Sequence, residues 1–421
     1  MKRISLFLLL FLLLKATVMY SQDGHPETNF RIVPVSPNAA SLGTFGMIPT
    51  DNYVGQANLT IPIYEIDLDG KKFPIALSYH TDGTRVAQEA TWIGLGWTLQ
   101  AGGCVVRQVQ GTDDFAARGC YNLTDAPWLT NPRFEVTDQN LEKYMGYFKG
   151  DYDAEPDMFY FNAGGHSGSM YFDVLKNNRQ LNAVPTIQTQ EKVVKMVYNT
   201  SNKTWTMTDL EGYVYSFSTK EITYYFLNTI DFFQTDITRS HIFPYYNEPQ
   251  IVTAWMLDSV TSPNGGKIMF SYKKESIFTP ISTTEDVISL SKIVNGQLSS
   301  QSPQYFTNKF NYNYSYSKIE QWTLSAITFE GGKVEFGTTD REDIESAETG
   351  KKVQKLSSIK VSDTAGNLIK TTMLEYKYLL SGMAATTNGY DDRLLLSKVY
   401  DVAGSKKKNV YTCLLYTSDA A

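Results

Sequence analysis

Apolar and polar residues alternate along most of this chain. Segments 59–64, 73–79 and 195–198 carry apolar side chains at every second position, which is the period of a strand with one buried face. Apolar residues at helical spacing stand out only at 140–148, where one short helix is predicted. We therefore predict a mainly β fold with very little helix. In it, an extended array of antiparallel hairpins forms a curved shell or sandwich-like sheets.

One hairpin pattern recurs along the second half of the chain. At 205–217, 255–270 and 322–336, a tryptophan is followed two residues later by Met or Leu, then by a turn with glycine and a strand that ends in Phe. Glycine supplies the positive φ that a tight hairpin turn requires. Weaker copies start at Leu356 and Leu394, and the irregular spacing favours stacked hairpins over a strict solenoid. The three tryptophans are Trp205, Trp255 and Trp322.

Two polar stretches divide the predicted strands. Residues 113–156 are predicted to be a loop-rich connection between an N-terminal β domain at 22–112 and the hairpin array at 157–412. Within the array, 279–313 is rich in Ser, Gln, Thr and Asn, and we predict a long surface insertion there.

The residues 1–21 have the pattern of a cleavable secretory signal. Lys2 and Arg3 precede the apolar run 4–14, and a short polar tail leads to Ser21. That run spans only about half of the ~30 Å hydrocarbon core, which disfavours an uncleaved anchor. No later stretch is apolar over ~18 residues, so we expect no membrane span after cleavage.

The residues 413–421 read CLLYTSDAA and resemble the translation of a sequencing-library adapter. We predict that they are an artefact and exclude them from fold reasoning; a genuine terminal strand is the alternative. On the artefact interpretation, Cys413 is not a natural residue and the gene continues past Thr412.

The charge pattern argues against one class of partner, nucleic acids. The net charge is −6 and the basic residues are scattered, with one cluster at Lys406, Lys407 and Lys408. An acidic chain without a basic face argues against nucleic-acid binding.

Two cysteines remain when Cys413 is set aside. Cys104 and Cys120 could pair in an oxidising compartment, where closing a loop of this size contributes ~3 kcal/mol on the chain-entropy model. Two separate buried thiols are the alternative, and the sequence leaves both open.

The stretch 36–114 has an ordered set of features: a strand, then FPIALSYH, a short loop, GLGWTL, a glycine pair and an arginine. This order resembles the N-terminal segment of Rhs/YD-repeat proteins and the SpvB-type segment that opens the B components of insecticidal toxin complexes. The segment PDMFYFNAGGHSGSMYFD at 156–173 is similar to the same family. The matching positions are Leu77, Ser78, Tyr79, Gly94, Gly96, Trp97, Leu99, Gly102, Gly103 and Arg107.

The resemblance implies a large hollow shell of β-hairpins, in which this segment helps build or plug one end. It implies a non-enzymatic structural part, without cofactor, whose partner is its own missing C-terminal Rhs region and any effector there. Together with the signal, it implies secretion or a place on the outer cell surface of a Gram-negative bacterium. The chain departs from the family in one respect, since no run of YD repeats precedes the tail.

The GLGW motif can also be interpreted from its residues alone. Gly94 and Gly96, at alternate positions, remove side chains from one strand face and let a backbone or a ring approach closely. Trp92 and Trp97 can pack in that space. We interpret the motif as structural, and a ligand-stacking platform is the alternative.

Candidate catalytic chemistry is sparse. His166 and Ser167 lie in GGHSGS, but a nucleophile elbow needs glycine where Ser169 stands, so a glycine-rich hairpin turn is favoured. The four histidines are isolated, which argues against a zinc site.

An acidic run gives one weak Ca²⁺ candidate. Oxygen ligands at alternate positions can wrap Ca²⁺, but Pro156 stands where the loop needs glycine. A solvated acidic loop is therefore favoured. The candidate ligands are Asp151, Asp153, Glu155 and Asp157.

Two other functions stay open at this point. A surface module could recognise glycan or protein through aromatic-rich hairpins. A hydrolase acting on surface polymers would rest only on export and on scattered carboxylates.

Overall fold

The computed structural model describes residues 33–47, 58–80, 88–111, 113–116, 119–121, 153, 155–173, 184–188, 194–230, 237, 239–244, 250–290, 293–294, 297–298, 307–379, 393–403 and 406–413. It is 67 % strand and 3 % helix, with large antiparallel sheets, which confirms the predicted mainly β fold. The secretory signal, the helix predicted at 140–148 and residues 414–421 lie outside the described residues.

The described elements are one α-helix, one short 3-10 helix and a series of strands. Helix α1 spans Pro37–Met47 and the 3-10 helix spans Arg239–His241. The strands are β1 Asn58–Leu68, β2 Lys71–His80, β3 Trp97–Gln100, β4 Gly103–Gln108, β5 Met158–Ala163, β6 His166–Tyr171, β7 Thr186–Ile187, β8 Val194–Asn199, β9 Thr204–Asp209, β10 Val214–Ile230, β11 Phe243–Pro244, β12 Ile251–Thr261, β13 Lys267–Phe278, β14 Ser282–Leu290, β15 Ile293–Val294, β16 Gln297–Leu298, β17 Thr307–Phe329, β18 Gly332–Asp340, β19 Glu345–Ser346, β20 Gln354–Ser362, β21 Leu368–Leu379, β22 Arg393–Ala403 and β23 Lys406–Thr412.

Helix α1 was not predicted from the sequence. Its two glycines, Gly43 and Gly46, weaken helix propensity, but its start is well capped. The amide of Ala39 donates to Ser36 Oγ at 3.2 Å, and Pro37 occupies the first helical position. The cap and packing against the sheets therefore outweigh the intrinsic preference.

A small three-stranded sheet is built from β1, β2 and β3 in that order. A register shift between Pro62 and Tyr64 lets Ile63 and Ile66, three residues apart, face the same side. That side is buried, while Pro62 and Glu65 on the other side are exposed. The alternation in the sequence thus marks the face that packs on the rest of the protein.

The remaining long strands form one large antiparallel sheet. Strand β10 pairs with β9 and β12 over its first part, and with β17 from Ile222 to Ile230. Strand β17 pairs with β14 and β13 on one side and with β10 and β18 on the other. Because β12 also pairs with β13, the sheet closes on itself through these long strands.

Every hairpin predicted from the recurring pattern is present. Strands β9 and β10, β12 and β13, β17 and β18, β20 and β21, and β22 and β23 pair as antiparallel neighbours. Gly212 and Gly265 have φ of 84° and 93° in their turns, as the positive-φ requirement predicts.

Strands run through the stretch 279–313, where the sequence predicts a long surface insertion. Strand β14 pairs with the first part of β17 over nine residue pairs, from Ser282↔Ser315 to Leu290↔Thr307, and β15 pairs with β16 at the tip. The stretch is a long hairpin. The β14 half of the stretch has few apolar residues to mark a buried face, whereas Phe310, Tyr312 and Tyr314 in the β17 half alternate with polar residues as a strand requires.

The two sheets pack against each other, and side chains from both form the main apolar core cluster. The rings of Tyr64 and Phe329 are 6.2 Å apart, and Lys370 Nζ donates to the carbonyl of Ile63 at 3.0 Å. Strand β4 belongs to the large sheet, so the unit predicted at 22–112 contributes to both sheets.

Candidate functional site

Residues 88–97, which lie between β2 and β3 of the small sheet in the chain, contact two strands of the large sheet. The amide of Leu356 donates to the carbonyl of Trp92 at 3.0 Å, and the amide of Leu95 donates to the carbonyl of Leu394 at 2.8 Å. The segment is therefore hydrogen-bonded to both β20 and β22. We call residues 88–97, with the parts of the large sheet that hold them, the junction.

Gly94 is required where the junction meets β22. Its φ is 117°, and a Cβ there would lie 2.8 Å from the amide nitrogen of Leu396. Thr91 Oγ1 lies within hydrogen-bond distance of the carbonyls of Gly94 and Trp97, at 3.1 and 2.6 Å. The close backbone approach predicted for the GLGW motif is what the structure has.

Trp97 follows Gly94 and Gly96 and is fully buried. Its ring lies 5.3 Å from that of Tyr79, while the Trp92 ring lies 6.4 Å from Phe336. Both tryptophans therefore pack inside the junction, as the structural interpretation of GLGW predicts, and they do not form an open stacking platform.

Arg341 is a buried arginine that binds the backbone of the junction. Arg341 donates through Nη1 to the carbonyl of Thr91 at 3.0 Å and through Nη2 to that of Ala90 at 3.2 Å. Its Nε and Nη2 also donate to both oxygens of Asp343, at 2.8 and 2.7 Å. The side chains of Arg341 and Asp343 are only 2 % and 1 % exposed. Asp343 in turn accepts from the amide of Leu394 at 3.0 Å.

Two further charged residues lie beside this pair. Arg393 Nε donates to the carbonyl of Gln88 at 3.0 Å. Burial raises the pKa of the Glu89 carboxyl, against the opposing effect of Arg393 and Arg341. Two arginines and two carboxyls thus balance one another around the junction. The sequence alone does not reveal this set, because Arg-x-Asp is too common a spacing to signal a buried pair.

Arg107, on β4, is the centre of a second buried charge cluster. Its side chain is 1 % exposed. Arg107 Nε donates to Asp157 Oδ2 at 2.8 Å, and Nη2 contacts both Asp157 and Asp113. The guanidinium also lies 4.8 Å above the Phe115 ring and 5.8 Å from that of Phe159.

Asp157 and Asp114 lock two chain segments together beside Arg107. The amide of Asp157 donates to Asp114 Oδ2 at 2.5 Å, and that of Asp114 donates to Asp157 Oδ2 at 3.3 Å. Asp157 Oδ1 accepts from the amide of Gln110 at 2.7 Å. Burial and the nearby charge of Asp157 raise the pKa of Asp114 to about 9, so this carboxyl is protonated at neutral pH.

The segment held by Arg107 covers an aromatic part of the core. Phe115 stacks on Tyr198 with ring centroids 5.3 Å apart, and Tyr121 meets Phe172 edge-on at 5.3 Å. Since Phe115 follows directly after Asp113 and Asp114, the Arg107 cluster fixes where this cover lies.

The Ca²⁺ candidate is not supported. No group of three or more His, Cys, Asp or Glu side chains among the described residues could hold a metal ion. Asp157 turns toward Arg107, Asp153 accepts from the amide of Glu155 at 2.9 Å, and Asp151 lies outside the described residues. The Arg107 guanidinium supplies the positive charge that balances Asp157.

Both cysteines of the sequence analysis are free thiols. Cys104 packs with Ala254 and Met256, whereas Cys120 belongs to the main core cluster beside Tyr121. Burial raises the pKa of the Cys120 thiol to about 12. The structure therefore has two separate buried thiols and no pairing.

The remaining positions of the sequence pattern also serve packing. Leu77, Ser78 and Leu99 are buried. A Cβ on Gly102 would lie 3.4 Å from the Phe270 ring, and one on Gly103 would lie 2.4 Å from the carbonyl oxygen of Asn162. Glycine at these positions allows β4 to lie tightly against its neighbours.

The hairpin tryptophans are buried or nearly so. Trp205 and Trp255 are each 1 % exposed, and Trp255 Nε1 donates to the carbonyl of Lys203 at 2.8 Å. Trp322 is half-buried and donates to the carbonyl of Lys220 at 2.7 Å. These side chains do not form an exposed aromatic surface for glycan or protein.

The glycine-rich turn at GGHSGS joins β5 and β6, with Gly164 and Gly165 at φ of 60° and 83°. His166 Nε2 lies 3.8 Å from Asp209 Oδ2. Asp209 is also bound by Lys71 Nζ at 2.5 Å, which links the start of β2 to β9. These charges tie the small sheet to a hairpin turn of the large sheet.

One small cavity lies between α1, the junction, β13 and β17. Its volume is about 40 Å³, and Asn38, Trp92 and Tyr272 are among its lining residues. This space holds a few water molecules at most. Among the described residues, no helix is long and apolar enough to cross a membrane.

No protein-family model matches the chain, and no curated protein sequence matches it. Several solved structures are similar at low identity. The N-terminal domain of the effector protein SpvB from Salmonella typhimurium strain LT2 has a TM-score of 0.37 and 12 % identity, over 82 % of this chain and 99 % of that one. The Tc holotoxin pore of Photorhabdus luminescens has a TM-score of 0.34 and 11 % identity, over 85 % of this chain and 15 % of that chain. A TcdB2-TccC3 structure without its hypervariable C-terminal region has a TM-score of 0.32 and 11 % identity, over 91 % of this chain and 16 % of that chain.

Proposed function

We propose that this chain is the non-enzymatic, structural N-terminal part of an exported Rhs-like shell protein that encapsulates or presents a C-terminal effector. The protein acts after export, either secreted or on the outer cell surface. Its own downstream region is its main partner.

The proposal rests on one observation: the residues that resemble the Rhs/SpvB pattern are buried or half-buried and hold segments of the chain together. Gly94, Trp97 and Arg107 each hold one part of the chain against another. Residues that hold chain segments together support a scaffold role. The polar groups of a binding or catalytic site would instead face an open surface.

The buried charges support the same role. Arg341 joins residues 90 and 91 to a loop about 250 positions further along the chain. Contacts of this kind make a single rigid body from distant segments, as one end of a shell requires. Their low exposure leaves them no access to a substrate.

Recovery of the intact gene tests the proposal. We expect the reading frame to continue past codon 412 into repeats of the YD type, followed by a variable C-terminal region. A stop codon directly after residue 412, without such repeats downstream, would overturn it.

A further inference from the structure

The segment at residues 33–47, which we call the strap, belongs to neither sheet. It consists of a short irregular stretch and helix α1, and it forms no strand ladder with the rest of the described chain. Side chains of the large sheet bind it one at a time. Thr223 Oγ1 donates to the carbonyl of Pro34 at 3.0 Å, and Asn162 Nδ2 donates to that of Leu42 at 2.9 Å. Separate contacts of this kind allow the strap to detach while the sheets stay folded.

Glu221, on β10, lies at the centre of this attachment. The amide of Ser36, the capping residue of α1, donates to Glu221 Oε1 at 2.8 Å, and Thr253 Oγ1 donates to the same oxygen at 3.2 Å. Glu221 is fully buried, and no group in the described part of the chain donates to its second oxygen, Oε2. Such a carboxyl is stable in its neutral form, because burying an unpaired charge costs far more than burying a protonated acid.

No positive charge is paired with Glu221 among the described residues. The strap, 33–47, contains no charged residue at all. Lys220 is the neighbour of Glu221 on the strand, so its side chain points to the other face of the sheet. Glu320 lies opposite Ile222 in the register and is on that other face as well. Burial raises the pKa of Glu221, against the opposing effect of the hydrogen bonds from the strap.

The sheet face under the strap is polar beside Glu221. Thr223 and Thr253 are buried, and their hydroxyl oxygens lie 3.2 Å apart. A face that always stayed covered would gain more from apolar side chains. Glu221 and the two threonines would instead be well hydrated if the strap lifted. This composition suits a face that is covered in one state and open to water in another.

The strap also covers the thiol of Cys104. Cys104 is fully buried and packs with Ala39 of helix α1 and with Val106 and Met256 of the large sheet. It is the titratable group that faces Glu221, and burial and that carboxyl raise the pKa of the thiol. Release of the strap removes Ala39 from the sulfur. The reactivity of Cys104 therefore reports where the strap lies.

We propose that the strap is a proton-controlled latch, which is closed over β10 and β12 while Glu221 is protonated and is released when Glu221 ionises. Release hydrates the carboxylate, whereas closure would leave its charge buried without a partner. Ser36 couples the two events, since its amide binds Glu221 and its hydroxyl caps the helix of the strap. The latch does not depend on the proposed shell role.

The direction of the pH dependence follows from this linkage. A hydrated Glu carboxyl has a pKa of ~4.3, and burial under the strap raises the pKa of Glu221. The contribution of Glu221 to closure is therefore complete below about pH 4 and is lost as the pH rises through the raised pKa. Within that interval, each pH unit favours release by about tenfold.

Thiol labelling of the full chain at pH 5 and pH 8 tests the latch. The reagent is a pyridyl disulfide, and mass spectrometry follows the Cys104 peptide in the wild type and in Glu221→Gln. The variant keeps a neutral side chain of the same size, so the intrinsic chemistry of the thiol cancels in the ratio of the two rates. We expect this ratio, wild type over variant, to be about tenfold or more higher at pH 8 than at pH 5. An equal ratio at both pH values would overturn the proposal.

Two controls show whether the release is local and belongs to Glu221. Cys120 lies in the main core, and pH 8 is below the titration of Asp114 at about 9, so Cys120 should stay protected in both proteins. Parallel acceleration of Cys104 and Cys120 would mean that the sheets open together and would overturn the proposal. Glu320→Gln removes a carboxyl from the other face and should behave as the wild type. Loss of the pH effect in Glu320→Gln would contradict the assignment to Glu221.

Asn38→Ala tests the strap without changing the carboxyl. Asn38 Oδ1 accepts from the amide of Trp92 at 2.9 Å, which holds helix α1 against the junction. Loss of this hydrogen bond should speed the labelling of Cys104 by about fivefold at pH 5 and leave the pH dependence in place. An unchanged rate at both pH values would show that the strap does not cover Cys104 and would overturn the proposal.

Discussion

Among the described residues, Arg107 and Arg341 are buried, and they make different kinds of contact. Arg107 and Arg341 are equally inaccessible, at 1 % and 2 % exposed. Arg107 stands among carboxyls that outnumber it, and its partners Asp113 and Asp157 lie within 50 residues. Arg341 has one bidentate carboxylate and directs its other donors to backbone carbonyls about 250 residues away.

The Arg107 contacts are therefore local in sequence, whereas the Arg341 contacts are long-range. The Arg107 cluster holds a covering segment on its own part of the sheet and contains a carboxyl that titrates far from its ordinary range. The Arg341 centre is balanced in charge and joins the two sheets. We therefore expect the first to depend on pH and the second to dominate global stability.

The largest effect is expected for Arg341→Ala. It leaves Asp343 buried without its partner and frees two carbonyls, so the free energy of unfolding should fall by about 3–5 kcal/mol. Urea unfolding measures this, with exposed Lys360→Ala as a control that should change stability by less than about 0.5 kcal/mol. A loss below about 1 kcal/mol would show that Arg341 does not hold the junction.

Gly94→Ala tests the contact between the junction and β22. Its Cβ would lie 2.8 Å from a backbone nitrogen at a φ of 117°, and we expect a loss of roughly 2–3 kcal/mol. Gly70→Ala is the matched control, since Gly70 has a φ of 92° with nothing within 4 Å of the added carbon. Equal losses in both variants would mean that φ alone, and not close approach, requires glycine at 94.

Asp114→Asn tests the pH dependence of the Arg107 cluster. The folded pKa of Asp114 is raised to about 9, above its unfolded value of ~3.9, so its contribution favours folding at low pH and is lost as pH rises through 9. Relative to the Asp114→Asn variant, the wild-type chain should therefore lose stability progressively as the pH rises from 5 to 9. Parallel pH profiles for the two proteins would contradict the raised pKa.

The smallest effect is expected from reducing agent. Cys104 and Cys120 are free thiols in separate clusters, so reductant should leave the melting temperature unchanged. A drop of several degrees, matching the ~3 kcal/mol of a lost disulfide, would show that the two cysteines are paired.

The hairpins could be predicted from the sequence. Of the two buried charge clusters, the one around Arg107 could be predicted and the one around Arg341 could not. Period-two alternation and turn glycines sufficed for β9, β10, β12, β13, β17, β18 and β20 to β22 because those strands have one face more buried than the other. Strand β23 is exposed along its whole length. Strand β14 escaped because its Ser and Thr residues carry no such signal. Arg107 was found from the order of motifs around it.

Arg341 was missed for a physical reason. Its partners Thr91 and Ala90 contribute carbonyl groups, which every residue has, so no side-chain pattern marks the contact. Only the register of distant strands brings them together. Helix α1 could not be predicted either. Its cap is a single hydrogen bond to Ser36, and the segment contains glycines that disfavour a helix.

Limited proteolysis of the protein encoded by the intact gene is the sharpest test of the proposed shell role. If this chain forms one end of a shell, the C-terminal region should resist protease in the wild type and become sensitive in Arg341→Ala, while Lys360→Ala stays resistant. A C-terminal region that is cleaved equally fast in all three proteins would contradict the account.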